Sequence, residues 1–144
     1  MIYLDASVLV SLYCPDANSG AAARLLKGTR GGWAISALAE LETVNAIGLR
    51  VFRKQMSAEQ TTISTRSFEE DLRSALYTSI PLPDAAFHRA RDLSRRISPH
   101  TGTRTIDILH IAAALEIGAD TLYSFDLRQR HAAQAIGLKL NPLP

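Results

Sequence analysis

With 144 residues, the chain is long enough for one domain, spanning residues 1–144, to bury roughly 68–70% of its unfolded surface without help from disulfides or a structural metal. Its 47% hydrophobic and 21% charged residues exclude a disordered protein, and the lack of any run of about 18 uncharged apolar residues argues against a membrane span. The net charge of +2 permits a polyanionic partner without requiring one, and the single cysteine, Cys14, has no internal disulfide partner and so favours the reducing cytoplasm.

Short apolar runs that end at polar residues, glycine or proline predict strands, and apolar residues at helical spacing predict the helices between them. In chain order the pattern gives strand 2–4, helix 8–13, helix 17–26, strand 33–35, helix 36–53, helix 57–76, strand 77–82, helix 85–98, helix 105–117, strand 121–125, helix 126–136 and strand 138–140. Strands that alternate with helices imply a parallel sheet covered on both faces. The sequence therefore predicts an α/β domain of three α/β/α layers, with a central parallel sheet of four to five short strands.

Polar residues mark where several of these helices begin, and glycine or proline marks the loops. The candidate helix caps are Asp5 with Ser7, Ser36, Asp84 and Asp126, and Ser57 and Gln60 form a candidate capping box. The predicted loops are 29–32 and 99–102. In helix 36–53 the helical spacing of apolar residues involves Leu38, Leu41, Val44, Ile47 and Val51.

Two acids follow strands directly, at the edge where open α/β sheets bind ligands. Asp5 follows the first predicted strand, and Asp126 follows strand 121–125. Because parallel strands end at the same edge, both carboxylates should project there. Either residue alone is equally well explained as a helix cap worth about 1 kcal/mol.

Two further acids, Glu42 and Asp107, lie near the starts of helices that should reach the same edge. Asp107 has apolar neighbours on both sides, where an ionised carboxylate is costly unless something pairs with it. Asn45 and His110 each follow one of these acids by three residues, and we interpret both as hydrogen-bonding groups of the core rather than as metal ligands. Glu42 alone is also consistent with a solvated acid near a helix N-terminus, and Glu40 fits that description at least as well.

Four carboxylates at one edge would repel one another, and a divalent cation would remove that repulsion. Hard oxygen ligands suit Mg²⁺ or Mn²⁺, which polarise a phosphoryl oxygen and lower the pKa of a bound water. The chain has no cysteine pair for zinc and no glycine-rich phosphate loop or nucleophile elbow of the usual patterns. The residues alone thus favour a magnesium or manganese site.

Around these four acids the chain resembles the PIN-domain ribonucleases, and within them the VapC-type toxins of bacterial toxin–antitoxin pairs. The matching segments are Tyr-Leu-Asp-Ala-Ser-Val-Leu-Val at 3–10, Leu-Glu-Thr-Val-Asn-Ala-Ile at 41–47, Thr-Ile-Asp-Ile-Leu-His-Ile-Ala-Ala-Ala-Leu at 105–115, Ser-Phe-Asp-Leu-Arg-Gln at 124–129 and Ala-Ala-Gln-Ala-Ile-Gly-Leu at 132–138. Each motif alone is weak, but together they cover essentially the whole chain in the family's order. The resemblance implies a PIN-like domain.

The resemblance also implies roles for particular residues. The family's four acids fall on Asp5, Glu42, Asp107 and Asp126, with Glu40 as the competing assignment for the helix acid; Asp5, Asp107 and Asp126 would hold the metal. Ser7 and Ser124 would be polar contacts near it, and Ser124 stands where threonine is more usual. The implied activity is hydrolysis of RNA phosphodiester bonds by a metal-bound water, in a homodimeric toxin whose antitoxin covers the active site.

RNA must be drawn to an acidic pocket, so cationic side chains should surround it. The candidates are Arg50, Arg104 and Arg128, whereas the basic residues of helix 85–98 are better explained as a solvated face.

Three other classes of protein compete with this interpretation. A phosphatase or receiver domain would need a second acid at position 7 and a lysine after strand 121–125, and neither is present. A nonenzymatic RNA-binding or regulatory module would not need all four acids. A flap nuclease of the wider superfamily would need DNA-binding elements for which this chain has no room.

Overall fold

The centre of the protein is a sheet of five parallel strands, seen in a computed structural model that describes residues 1–29 and 32–144. The strands are β1 (Ile2–Leu4), β2 (Trp33–Ser36), β3 (Tyr77–Ile80), β4 (Thr121–Tyr123) and β5 (Lys139–Leu140). Their spatial order is β3-β2-β1-β4-β5, so β1 is the central strand. In register, Tyr3 of β1 lies between Ala34 of β2 and Leu122 of β4. The predicted parallel sheet is confirmed.

Helices cover both faces of this sheet. In chain order they are α1 (Ala6–Tyr13), α2 (Ser19–Gly28), α3 (Ala37–Phe52), α4 (Ala58–Arg73), α5 (Asp84–Thr101), α6 (Thr105–Glu116) and α7 (Leu127–Ala135). Successive residues of a strand face opposite sides of a sheet. Leu4 accordingly packs in a core with residues of α1 to α4, whereas Tyr3 packs in a core with residues of α5 to α7. The predicted three-layer arrangement is confirmed.

The direction in which the chain crosses the sheet reverses beside β1. From β1 the chain moves outwards to β2 and β3, and it then returns to the other side of β1 to form β4 and β5. Such a reversal leaves a crevice outside the carboxyl ends of the two strands between which it occurs. Those strands are β1 and β4, which Asp5 and Asp126 follow, and the Asp5 amide donates to the carbonyl of Tyr123 (3.1 Å).

Most helix starts follow the predicted capping residues. Asp5, Ser36 and Asp126 cap α1, α3 and α7, and Ser57 forms the predicted capping box with Gln60 at α4. The prediction for Asp84 is wrong. Pro83, whose fixed φ suits an extended residue before a helix, occupies the cap position, and Asp84 is the first helical residue.

The predicted loop 99–102 is also wrong, because α5 continues through Pro99 to Thr101. Pro99 gives up one helical hydrogen bond, but Ile97 packs in the core just before it, and the Thr101 hydroxyl donates to the Ile97 carbonyl (2.9 Å). The helix ends where Gly102 adopts a left-handed φ of 62°, a conformation that glycine allows without strain.

The other differences lie at the ends of elements. Strands 77–82 and 121–125 stop two residues earlier than predicted, and the predicted helix 17–26 spans Ser19–Gly28. The predicted loop 29–32 includes residues 30 and 31, which lie outside the described residues. In the ranges that the structure describes, every helix is too short or too polar to cross a bilayer.

Candidate active site

Asp5 is buried at the sheet edge, with 4% of its surface exposed. Its Oδ1 accepts hydrogen bonds from the amides of Ser7 (2.9 Å) and Val8 (3.3 Å) and from the Ser7 hydroxyl (2.6 Å). Its Oδ2 accepts one bond, from the hydroxyl of Ser124 (2.8 Å). Burial raises the pKa of the Asp5 carboxyl above its usual value, and the nearby His110 and the two serines only partly offset this. An ionised Asp5 is therefore costly in the isolated protein and would be stabilised by a cation.

Two serines connect Asp5 to the segment that follows β4. The Ser7 hydroxyl accepts from the amide of Phe125 (2.8 Å), and the Ser124 hydroxyl accepts from the amide of Asp126 (3.0 Å), while each donates to Asp5. Each hydroxyl therefore uses its hydrogen in one bond and a lone pair in another. This pairing fixes the orientation of Asp5 relative to the residues around Asp126.

Asp107 and Asp126 are joined by a single cation, Arg104. Its Nε and one terminal nitrogen donate to the two oxygens of Asp107 (2.9 and 3.0 Å), and the same terminal nitrogen donates to Asp126 Oδ2 (3.2 Å). The hydrogen bond and charge of Asp107, followed by the charges of Asp126 and Glu42, raise the pKa of the Arg104 guanidinium. Asp107 and Asp126 thus share one guanidinium, and Glu42 lines the same groove as Asp126.

Glu42 enters this space from α3 and is held by His110. Its Oε2 contacts His110 Nε2, and His110 Nδ1 forms a hydrogen bond with the phenol of Tyr3 (2.8 Å). The phenol also bonds the hydroxyl of Ser36 (2.6 Å), which caps α3. Burial raises the pKa of Tyr3, so its phenol stays protonated. This buried series fixes Glu42 relative to both β1 and α6.

Glu40 and Asn45 of α3 do not lie among the four predicted acids of the site. Glu40 accepts a hydrogen bond from Ser79 of the edge strand β3, so Glu42 is the acid of α3 that faces the other carboxylates. The prediction that Asn45 hydrogen-bonds within the core is wrong: its side chain is exposed and lines a groove beside Glu42. The buried positions of α3 are Ala39, Thr43 and Ile47, a spacing that turns Asn45 outwards.

This groove, about 460 Å³ in volume, extends from the acids towards the C-terminal end of α3. It is lined on one side by Ser7, Glu42 and Asp126 and further along by Arg50 and Arg53. Arg50 is 3.5 Å from Asp16, which partly neutralises it. Arg128 is exposed in the first turn of α7, and its amide donates to Asp126. Two of the three predicted arginines, Arg50 and Arg104, therefore border the groove or the acids, and Arg128 lies at the adjoining helix end.

Sequence reasoning missed two residues, Asn141 and Arg130, that hold the backbone of Ser124 after β4. Asn141 is buried, and its Oδ1 accepts from the amide of Ser124 (2.8 Å) and from Arg130 (3.0 Å). Arg130 also donates to the Ser124 carbonyl (2.9 Å). The only available signal was an arginine four residues after Asp126, which by itself reads as a helix surface residue.

The donor set fits a hard divalent ion in chemistry and in charge. The acids contribute carboxylate oxygens, the ligands that Mg²⁺ and Mn²⁺ prefer, and Asp5 and Asp107 are buried at 4% exposure each. Within residues 1–29 and 32–144 no three acids, histidines or cysteines are gathered closely enough to bind an ion as they stand. Arg104 lies between Asp107 and Asp126 and pairs with both carboxylates.

Replacing Ser124 by alanine is expected to lower the free energy of unfolding by about 1–3 kcal/mol, because the buried Asp5 oxygen and the Asp126 amide each lose a partner. Urea denaturation followed by circular dichroism measures the change. The control is Ser67→Ala on the exposed face of α4, for which we expect a change within about 0.5 kcal/mol. Equal stabilities of the two variants would contradict the supporting role of Ser124.

The fold agrees with one family. The chain belongs to the PIN domain family, whose sequence pattern matches residues 2–135 and thus includes Asp5, Glu42, Asp107 and Asp126. The resemblance predicted from the sequence is confirmed at this level. A search of the curated proteins by sequence found no match.

Solved structures of other proteins share the fold. VapC20 of Mycobacterium tuberculosis, described as a toxin that cleaves the sarcin–ricin loop, is 18% identical, with a TM-score of 0.72 over 92% of this chain and 95% of that one. FitAcB of Neisseria gonorrhoeae is 17% identical, with a TM-score of 0.69 over 99% and 97% of the two chains. VapBC2 of Rickettsia felis, bound to a DNA fragment from its promoter, is 20% identical, with a TM-score of 0.65 over 98% of each chain.

Proposed function

We propose that this protein is a Mg²⁺- or Mn²⁺-dependent endoribonuclease and the toxin of a toxin–antitoxin pair. The observation that carries the nuclease proposal is the sharing of Arg104 by Asp107 and Asp126, with Glu42 in the same groove as Asp126 and a buried Asp5 whose two oxygens are oriented by serines. Carboxylates gathered in this way are suited to a divalent ion and unsuited to each other without a cation. The PIN family membership supports the same activity.

Each acid has a distinct part in the proposed site. Asp5 and Asp107, the two buried carboxylates, would hold the ion, and Asp126 would complete the site directly or through water. The ion supplies polarisation of the scissile phosphate and a lowered pKa for the attacking water. Glu42 keeps its Oε2 against His110, which leaves Oε1 as the acceptor for the proton that the water loses.

The groove beside the acids is the proposed path of the RNA strand. Its far end carries Arg50 and Arg53, and Arg128 is exposed at the start of α7. These arginines would neutralise RNA phosphates on either side of the cleaved one, which the acids alone would repel. Water would attack the phosphorus and the bond to the 3′-oxygen would break, so one product carries a 5′-phosphate and the other a 3′-hydroxyl.

The exposed side of α3 supports the proposal of an antitoxin partner. Its apolar residues Leu41 and Phe52 are 68% and 84% exposed, and Val44 and Val51 of the same helix are exposed as well. Ile63 on the neighbouring helix α4 is also exposed. Apolar side chains gathered on one surface mark interaction sites, and this one adjoins the groove. We propose that an antitoxin segment covers it, and that the toxin is a homodimer as in the VapC-type proteins it resembles.

The test is incubation of the purified protein with total RNA in Mg²⁺, in Mn²⁺ and in EDTA, followed by mapping of the new RNA ends. We expect discrete cuts with 5′-phosphates in either ion and none in EDTA. Binding of RNA without cleavage in both ions would overturn the nuclease proposal and favour a nonenzymatic RNA-binding module. A phosphorylated Asp5 after incubation with a small phosphodonor would instead place the chain with phosphotransfer proteins.

A further inference from the structure

Arg104 occupies the space between two carboxylates that the proposed function assigns to a metal ion. Its guanidinium donates to both oxygens of Asp107 and to one oxygen of Asp126, and so bridges the start of α6 and the start of α7. A bidentate arginine–carboxylate pair with a third hydrogen bond is among the stronger side-chain arrangements. Arg104 therefore acts as the counterion of this part of the site.

Arg104 is nevertheless poorly enclosed. Its side chain is 51% exposed, whereas that of Asp107 is 5% exposed. It precedes the first residue of α6, and its side chain forms no capping bond to that helix. The guanidinium can thus move into solvent without disturbing the core, while the buried carboxylate cannot follow it. Release of Arg104 costs its ion pairs but little packing.

The charges favour an exchange. Four acids surround the site, and Arg104 offsets one of their negative charges. A divalent ion offsets two and can approach carboxylate oxygens at about 2.0–2.1 Å, closer than a guanidinium nitrogen can. A metal bound to Asp107 and Asp126 would take over the lone pairs that Arg104 now uses. The guanidinium would then be free at the mouth of the site, where the phosphates of an RNA strand must pass.

We propose that Arg104 is an exchangeable residue of this site: it neutralises Asp107 and Asp126 in the metal-free protein, and it binds RNA phosphate once a divalent ion has displaced it. This inference rests on the proposed function, since it assumes that the four acids bind a metal. It assigns Arg104 a phosphate-binding role that depends on the metal, unlike the constitutive role proposed for Arg50 and Arg128.

Metal affinity provides the first test, with Mn²⁺ alone as the probe and isothermal titration calorimetry as the measurement. We expect Arg104→Gln to bind Mn²⁺ about tenfold more tightly than the unmodified protein, because the ion no longer competes with the guanidinium. The matched control is Arg128→Gln, which removes the same charge from the neighbouring helix α7. Equal gains in the two variants would mean that only overall charge matters, and would overturn the exchange.

RNA binding provides the second test, on a Glu42→Gln background that suppresses cleavage. The measurement is the salt dependence of binding to a single-stranded oligoribonucleotide of mixed sequence, with and without Mg²⁺. We expect Arg104→Gln to reduce the slope of log affinity against log salt by about 0.7 in Mg²⁺ and to leave it unchanged in EDTA. Arg128→Gln should reduce the slope in both conditions.

The outcomes separate this inference from the function beneath it. If neither the unmodified protein nor Arg104→Gln binds Mn²⁺, the metal-dependent nuclease itself is refuted. If both bind Mn²⁺ with the same affinity, the nuclease proposal stands and the exchange is wrong. If Arg104→Gln alters the salt slope equally with and without Mg²⁺, Arg104 contacts RNA independently of the ion, which also contradicts the exchange.

Discussion

Asp5→Asn and Asp107→Asn are each expected to lower the rate of Mg²⁺-dependent RNA cleavage by at least about 10³-fold, because each removes a buried anionic ligand worth several kcal/mol of transition-state stabilisation. Asparagine has nearly the shape of aspartate but lacks the charge that holds a divalent ion. The measurement is the initial rate of cleavage of one mapped RNA substrate at saturating Mg²⁺. Full activity in either variant would remove that residue from the site.

The same variants should remain folded. Burial places the pKa of Asp5 in the folded protein above its value in the unfolded chain, so the folded state binds this proton more tightly. The free energy of unfolding contributed by Asp5 therefore falls as the pH rises through the interval between those two pKa values. Asparagine removes this penalty, and we expect Asp5→Asn to melt at or above the temperature of the unmodified protein at neutral pH in EDTA.

A divalent ion should reverse that comparison. Ligands that bind only the folded state raise its melting temperature, so Mg²⁺ or Mn²⁺ should stabilise the unmodified protein and leave Asp5→Asn unchanged. Asp92→Asn, which alters an exposed acid on α5, serves as the control and should retain both the metal response and the activity. An equal metal response in Asp5→Asn would show that the ion binds elsewhere.

The layers of this fold follow directly from sequence periodicity, and so does the position of two acids. Short apolar runs with helical segments between them can only bury their surface as a covered parallel sheet, and Asp5 and Asp126 lie at its edge because they follow strands. Local chemistry also predicts caps well, since Ser57 and Gln60 need only each other's backbone to form a capping box. These features depend on neighbours in the chain.

Features that depend on packing between distant segments escaped prediction. His110 of α6 meets Glu42 of α3 across 68 positions, where Tyr3 of β1 bonds both His110 and Ser36, the cap of α3. Asn141 reaches Ser124 through the pairing of β4 with β5. No spacing in the sequence encodes either contact.

The apolar periodicity of α3 predicts the helix but not which of its faces is buried. Leu41 and Val44 belong to the apolar spacing that predicts the helix, yet both are exposed, and the buried positions are the smaller Ala39 and Thr43 together with Ile47. Small residues let α3 lie close to α1, so close packing rather than hydrophobicity selects this face. The exposed apolar stripe then remains available for the proposed antitoxin.

The contact between His110 and Glu42 should make their contributions to catalysis interdependent. If His110 positions Glu42, His110→Ala should lower kcat by at least about tenfold with little change in KM, because the pair is proposed to act in proton transfer rather than in phosphate binding. Glu42→Gln should lower kcat by about 10²–10⁴-fold, the usual range for loss of a general base. The measurement is steady-state kinetics of cleavage for both single variants and the double variant.

The double variant separates positioning from an independent catalytic role. Once Glu42 is replaced, His110 has no carboxylate to position, so the double variant should be no slower than Glu42→Gln alone. Losses that multiply would show that His110 acts on substrate or metal by another route. His110→Ala is also expected to lower the free energy of unfolding by roughly 1–3 kcal/mol, since Tyr3 keeps only Ser36 as a partner.

Tyr3→Phe provides the variant that keeps the histidine and weakens its support. It removes the Tyr3 hydroxyl, which bonds His110 Nδ1, and leaves the contact between His110 Nε2 and Glu42 in place. A loss of kcat smaller than that of His110→Ala is therefore expected, with the fold confirmed by circular dichroism. Tyr3 contacts Glu42 only through His110, so its replacement should affect kcat less than replacement of His110 itself. A larger loss of kcat in Tyr3→Phe than in His110→Ala would contradict this order.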